Sequence, residues 1–223
     1  MRIIANIHKG DSLRFISHLD MQRLMQRAMR RADLPLSYSQ GFNPHPIMAF
    51  ASALSVGHSS DGEWLDVRLS AETAPEEFAK RLNGALPEGL HVSKALAIEE
   101  TMPALTALIQ RARYTATIYF DMPVEAEVLK TGMQKLLGGP IVVTKHTKGG
   151  LKDVDIRPHL LSMVLKGDST GSLQGAEFDI EGVLNASGGL QIELLLQALM
   201  ETCGVTGRTR VHRLAVDFEK IEV

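Results

Sequence analysis

The sequence predicts an α+β protein made of two tandem ferredoxin-like (β-α-β-β-α-β) units, the second with an added β-hairpin. Two observations carry this. Apolar residues switch repeatedly between a period of two and a period near 3.6, which separates strands from helices. The elements so found fall in the order β-α-β-β-α-β in each half. A length of 223 residues allows two cores of this size. A short join near Met102-Pro103-Ala104 divides the chain into 1–103 and 104–223.

The first half is justified element by element. Residues 2–8 alternate as a strand, and Gly10-Asp11-Ser12 turns the chain. Ser17 has the character of a helix N-cap, with Asp20 completing a variant of the capping box. Met21, Leu24, Met25, Ala28 and Ala32 then recur at helical spacing until Leu34-Pro35 ends the helix. Ser37–Ser55 is extended but broken by prolines, and Glu63–Leu69 alternates cleanly. Thr73 is expected to cap a second helix with Pro75 in its first turn and Glu76 and Glu77 at its positive end. That helix closes near Asn83-Gly84, and His91–Ile98 is the fourth strand.

In the second half, Arg113–Phe120 is a strand and Val124–Leu137 a helix ended by Gly138-Gly139-Pro140. Ile141–Thr147 and Asp153–Arg157 form the hairpin across Lys148-Gly149-Gly150. Gly175–Leu184 is a strand, Leu190–Thr202 an apolar helix and Arg208–Phe218 the last strand.

Composition narrows the class. Hydrophobic residues make up 44% and charged residues 22%, as in a folded globular protein. No apolar run approaches the ~18 residues of a membrane span, and the N-terminus lacks signal-peptide character. Cys203 is the only cysteine, which leaves no disulfide framework and no thiolate cluster within one chain. Cytoplasm is the expected compartment. Net charge is −2, yet residues 1–60 hold seven lysines and arginines against three aspartates, and residues 61–110 hold four against nine acids. Such asymmetry would orient a polyanion; ordinary mixed surface charge is the alternative.

Several residues carry candidate chemistry. Arg23, Arg27 and Arg30, with Arg31 beside them, form a stripe opposite the apolar helix face. A guanidinium stays charged and grips phosphate with paired donors; the same stripe equally suits a solvated face complementing the helix dipole. Gly41-Phe42-Asn43-Pro44-His45-Pro46 holds His45 on a stiff backbone between two prolines. Phe42 is expected to anchor in the core, with stacking on a base as the alternative. His45 is a candidate ligand contact, and with His18 a candidate acid–base pair. His18, His45 and His58 lack metal-ligand spacing, so no metal is expected. No phosphate loop or dinucleotide fingerprint occurs, so no cofactor is expected. Lys145, Lys148 and Lys152 surround a glycine pair in a basic hairpin suited to a phosphate backbone or simply to solubility, and Arg157 follows on the same strand face as Asp155.

The motifs Phe15-Ile16-Ser17-His18-Leu19-Asp20, Arg27-Ala28-Met29-Arg30-Arg31-Ala32, Gly41–Pro46 and Glu63/Asp66 resemble the radical SAM-linked protein family. Asp153-Val154-Asp155-Ile156-Arg157-Pro158 and Val211-His212-Arg213 are similar to it as well, so the resemblance covers nearly the whole chain. It implies a domain that follows a cobalamin-binding radical SAM enzyme on one polypeptide or stands beside one. The chain has no CxxxCxxC, so the implied role is accessory, presenting substrate to a radical SAM enzyme. A looser likeness, in architecture only, is to the tandem ferredoxin-like RNA endonucleases that process CRISPR repeats; it transfers no catalytic residues.

The expected function is a non-catalytic RNA-binding accessory module that presents tRNA or rRNA to a radical SAM partner. Arg23, Arg27, Arg30, Arg31, Lys145, Lys148, Lys152 and Arg157 would hold phosphates, while Tyr38, Asn43 and His45 read or stack a base. Two alternatives stay open: a metal-independent ribonuclease using His18 and His45, and a protein–protein adaptor whose Phe15–Pro46 surface docks the enzyme without RNA. No DNA or membrane partner is expected.

Overall fold

The structure, a computed structural model, describes residues 1–147, 150–167 and 170–219. It is α+β and divides into two compact units: Met1–Gln110 joined by the chain from Arg213 onward, and Arg111–His212. This partition differs from a single division at 103/104, because the last strand begins in the second unit and ends in the first.

The first unit contains β1 (Arg2–Lys9), α1 (His18–Arg31), β2 (Met48–Phe50), β3 (His58–Arg68), α2 (Pro75–Asn83) and β4 (Leu90–Ile98). β1 lies between β4 and β3, β2 pairs with the far edge of β3, and all three pairings are antiparallel. This 4-1-3-2 order is that of a ferredoxin-like unit. The register sets Ile3 opposite Val67, Ala5 opposite Leu65 and Ile7 opposite Glu63. Strand alternation thus sends Ile3, Ala5 and Ile7 into one core with Met25 and Met29 of α1 and Phe78 and Leu82 of α2.

α1 forms as its capping residues dictate. Ser17 is extended; its Oγ accepts from the Asp20 amide at 3.2 Å and donates to Asp20 Oδ2 at 2.7 Å. The helix ends through Asp33, which adopts a left-handed φ of 50°. The Asp33 amide donates to Arg30 O at 3.1 Å and the Leu34 amide to Met29 O at 3.3 Å, a Schellman closure with aspartate where glycine is usual. At α2 the expected cap is corrected. Ala74, not Thr73, occupies the cap position and offers no side-chain bond, so Pro75 and the two glutamates fix that end.

The chain continues through α3 (Leu105–Leu108), β5 (Ile109–Glu125), α4 (Ala126–Leu137), β6 (Val142–Thr147), β7 (Gly150–Asp155), β8 (Leu160–Leu165), β9 (Ser172–Asn185), β10 (Gly188–Gly189), α5 (Ile192–Cys203) and β11 (Gly207–Phe218). In the second unit the order is β8-β9-β5-β11, again 4-1-3-2 once β5, β8, β9 and β11 are taken in sequence. β6 and β7 form the added hairpin as a separate two-stranded sheet. β8, Leu-Leu-Ser-Met-Val-Leu, supplies the second strand of this unit. Its apolar residues are nearly continuous, so periodicity does not mark it.

β11 ends beside β3 in the first unit. Gly62 there meets the last strand so closely that a Cβ would lie 2.6 Å from Ala215 Cα. No helix among the described residues is long and apolar enough to cross a membrane.

Candidate functional site

α1 turns Met21, Met25, Ala28 and Met29 inward, which fixes Arg23, Arg27, Arg30 and Arg31 on the exposed surface. Arg23 Nη1 reaches Asp20 Oδ1 at 3.2 Å, a well-exposed pair. The Ser17 hydroxyl, and after it Arg23 and Arg27, hold the Asp20 carboxyl below its ordinary range. Arg31 Nη2 donates to Ala85 O at 2.5 Å. Arg27 and Arg30 make no side-chain hydrogen bond among the described residues.

Beyond α1 the chain forms a protruding hairpin. Ile47 N donates to Ser37 O and Ser39 N to His45 O, both at 2.9 Å, and Tyr38 bridges Pro46 between them. Its base is pinned where β3 ends, by Ser37 N to Arg68 O at 2.9 Å and Arg68 N to Ile47 O at 3.0 Å. The stiffness expected of His45 has a specific brace. Ser39 Oγ accepts from His45 N at 3.1 Å and lies 3.0 Å from Nδ1. Tyr38, Asn43 and His45 are all exposed. Phe42 corrects the expectation of a core anchor: its relative exposure is 111%. Gly41, at φ 119° with open space around it, turns the chain at the tip in a conformation that favours glycine.

His18 and His45 are not brought together. His18 is half-buried at the start of α1, its ring edge-on to Phe50 at 5.7 Å and its Nε2 3.1 Å from Gln22 Nε2. Burial pushes its imidazole below the usual value. Each ring has its own partner, and no hydrogen bond joins them.

A buried ionic cluster lies under His18. Arg213 Nη1 meets Glu63 Oε1 at 3.0 Å with both side chains 4% exposed. Ser60 Oγ donates to the same oxygen at 2.7 Å, and Arg213 also donates to Ser52 Oγ and Ala53 O. Lys9, also buried, donates to Arg14 O and Ile16 O, both at 3.2 Å. Burial lowers its ammonium, with Glu63 opposing. Lys9, His18 and Glu63 share a cavity of about 10 Å³ with Ile16, Met21, Phe50 and Leu54, near the threshold for a single water. Asp66 is likewise consumed, taking three bonds from Arg2, with Nη2 to Oδ2 at 2.6 Å. Sequence reasoning gave Lys9 no role and placed Arg213 only within the Val211-His212-Arg213 motif, not as the buried partner of Glu63. The available signal was a charge at an inward position of an alternating strand: Lys9 continues Ile3-Ala5-Ile7, and Arg213 follows Val211.

In the second unit Lys145 and Lys152 face each other across β6 and β7, with Thr144 Oγ1 donating to Asp153 Oδ1 at 2.8 Å. Lys148 lies outside the described residues. Arg157 is half-buried and engaged, with Nη1 donating to Leu160 O at 3.1 Å and Nε to Leu137 O at 3.4 Å. Asp155 Oδ1 accepts from the amides of Ile141 and Arg157 at 2.9 Å each, so these two side chains tie down the hairpin's exit. Elsewhere His8 and His91 stack at 4.6 Å, with His8 Nδ1 2.5 Å from Asp61 Oδ1. No group of three metal-ligating side chains occurs among the described residues.

A family model described as an uncharacterized protein conserved in bacteria matches residues 2–196. No curated protein matches the sequence. Among solved structures, a chain of an archaeal box H/ACA sRNP Nop10–Cbf5 complex aligns at 8% identity and TM-score 0.50, over 95% of this chain and 46% of its own. A chain of a Cbf5–Nop10–Gar1 complex aligns at 10% identity and TM-score 0.54, over 98% of this chain and 50% of its own. At these identities the likeness is one of fold. This chain spans about half the length of both.

Proposed function

For this chain, which belongs to the bacterial family DUF2344, we propose a non-catalytic RNA-binding accessory module. The observation that carries the proposal is that two exposed features of the first unit follow one another along a short, pinned stretch of chain. The last turns of α1 present Arg27 and Arg30, with Arg31 tied to Ala85 O, and after five intervening residues the hairpin of 37–47 follows with Tyr38, Phe42, Asn43 and His45 exposed. Ser70 N to Pro35 O at 2.7 Å and Ser37 N to Arg68 O at 2.9 Å pin the connecting chain to the end of β3. Guanidinium groups that never deprotonate suit phosphates, and a braced hairpin with amide, imidazole and aromatic groups suits a nucleotide. The tie of Arg157 to the backbone leaves Lys145 and Lys152 as the described cations of a secondary contact. A fold that also occurs in a chain of an sRNP complex is compatible with this reading and adds only an architecture.

The RNA in this proposal is tRNA or rRNA, and the partner is the radical SAM enzyme that the sequence resemblance implies. The test is fluorescence anisotropy against bulk tRNA and rRNA fragments, titrated with salt. Wild-type affinity should fall with a log–log slope of about −0.7 per phosphate neutralised on a single strand. Arg23→Ala/Arg27→Ala/Arg30→Ala should weaken binding and shrink the slope by about 2. No binding by wild type at low salt would sink the proposal. Co-purification with a radical SAM enzyme tests the partner separately.

A further inference from the structure

Phe42 is the largest apolar side chain at the hairpin tip and the most exposed of the large hydrophobic residues, at 111%. Its exposed neighbours there, Gln40, Gly41, Asn43, Pro44 and His45, are polar or bare apart from Pro44. The support beneath is rigid. Ser39 and His45 are joined by a backbone bond at 2.9 Å and by the Ser39 hydroxyl to His45 N at 3.1 Å. Pro44 and Pro46 fix the chain on either side of His45. We propose that Phe42 is a base-stacking platform, and that the RNA this chain takes is unpaired where it touches the tip: a loop or single strand, not a duplex.

The inference rests on the RNA-binding reading and specifies its substrate class. An aromatic face grips a base only when that face is free, and in a duplex both faces are covered by the neighbouring pairs. Stacking is tolerant of base identity, while the Asn43 amide and the His45 imidazole are hydrogen-bonding groups of the kind that engage a base edge. A protein-docking surface is less well matched. Such surfaces need a contiguous apolar centre within roughly 1,000 Å² or more of buried area, whereas this hairpin exposes Phe42 with only Tyr38, Pro44 and Ile47 as further apolar side chains, interrupted by Gln40, Asn43 and His45.

The experiment compares an unstructured single-stranded uridine oligonucleotide with an RNA duplex of equal length, using the full chain. Wild type should prefer the single strand. Phe42→Ala should lose about 5- to 100-fold on the single strand and little on the duplex. Phe42→Trp should keep the preference and show quenched tryptophan emission on binding, a clean signal because the native Trp64 is 5% exposed. Phe42→Leu, apolar but without a π-face, should not restore affinity. Since Phe42 packs on nothing, all three variants should melt with wild type. If single strand and duplex bind alike and Phe42→Ala changes neither, stacking is overturned and phosphate binding by α1 stands. If wild type binds neither, the RNA-binding reading falls and this inference with it. If Phe42→Ala leaves RNA binding intact but abolishes capture of the radical SAM partner, the tip is a protein contact and stacking is overturned.

Discussion

Glu63 and Arg213 show how much depends on single side chains. Two charges lie together out of water, and each is tolerable only because the other is present. Glu63→Gln would leave the Arg213 guanidinium buried without its counter-charge. Loss of one partner of such a pair typically costs about 3–5 kcal/mol, and urea unfolding monitored by Trp64 fluorescence should show a loss of this order. A change below about 1 kcal/mol would mean that water reaches the pair. His18 supplies a pH test. Its imidazole sits below the ordinary value of 6.5 because burial disfavours the cation. The unfolded chain therefore takes up the proton first as pH falls. The contribution of His18 is whole above the unfolded value and is lost as pH drops through the folded one. Between about pH 7.5 and about pH 5.5 wild type should lose more stability than His18→Gln, and parallel urea midpoints would overturn this.

At the scale of elements, α1 illustrates which signals a sequence carries openly. Ser17, Asp20 and the methionines at helical spacing announce its start and its buried face. Its end is set less visibly by Asp33 at φ 50°, a conformation that costs a side-chain-bearing residue more than glycine. Asp33→Gly should therefore stabilise the protein by up to about 1 kcal/mol. The Asp33–Arg81 contact at 3.8 Å is too exposed to reverse that sign. Thermal unfolding would detect it, and an unchanged or lower midpoint would show that the aspartate is needed. The β6–β7 hairpin and most strands were equally legible, since alternation and glycine-rich turns mark them, and α5 was legible as an apolar run; the 37–47 hairpin read only as an extended stretch broken by prolines. β8 was not legible, because a run of apolar residues has no period. Phe42 was misjudged for a related reason: hydrophobicity suggests burial, but Gly41 and two prolines shape an exposed tip, and neither effect appears in a periodicity count.

At the scale of the molecule, the first unit is not built from contiguous sequence. The chain leaves it after Gln110 and returns at Arg213. The returning strand brings Arg213 to Glu63, Ala215 against Gly62, and Phe218 edge-on to Trp64 at 6.1 Å. Removing residues 207–223 should therefore do more than shorten the second unit. It would strip the edge of β3 and leave Glu63 unpaired, and cooperative unfolding of the first unit should be lost. A truncated chain that still unfolds in one sharp transition, with Trp64 emission as in wild type, would show that the strand is dispensable.

Sequence alone determined the α+β class, the β-α-β-β-α-β order of the first half, the inserted hairpin and the exposure of the arginine stripe, because each follows from local periodicity, capping and turn chemistry. Tertiary structure decided the rest. It spent Glu63, Asp66 and Arg157 on internal bonds, gave His18 and His45 different partners, and set Phe42 at an exposed tip. Those outcomes depend on which strands become neighbours across 150 residues, as Glu63 and Arg213 do. Such pairing is fixed by the collective burial of a core, which no local window of residues encodes.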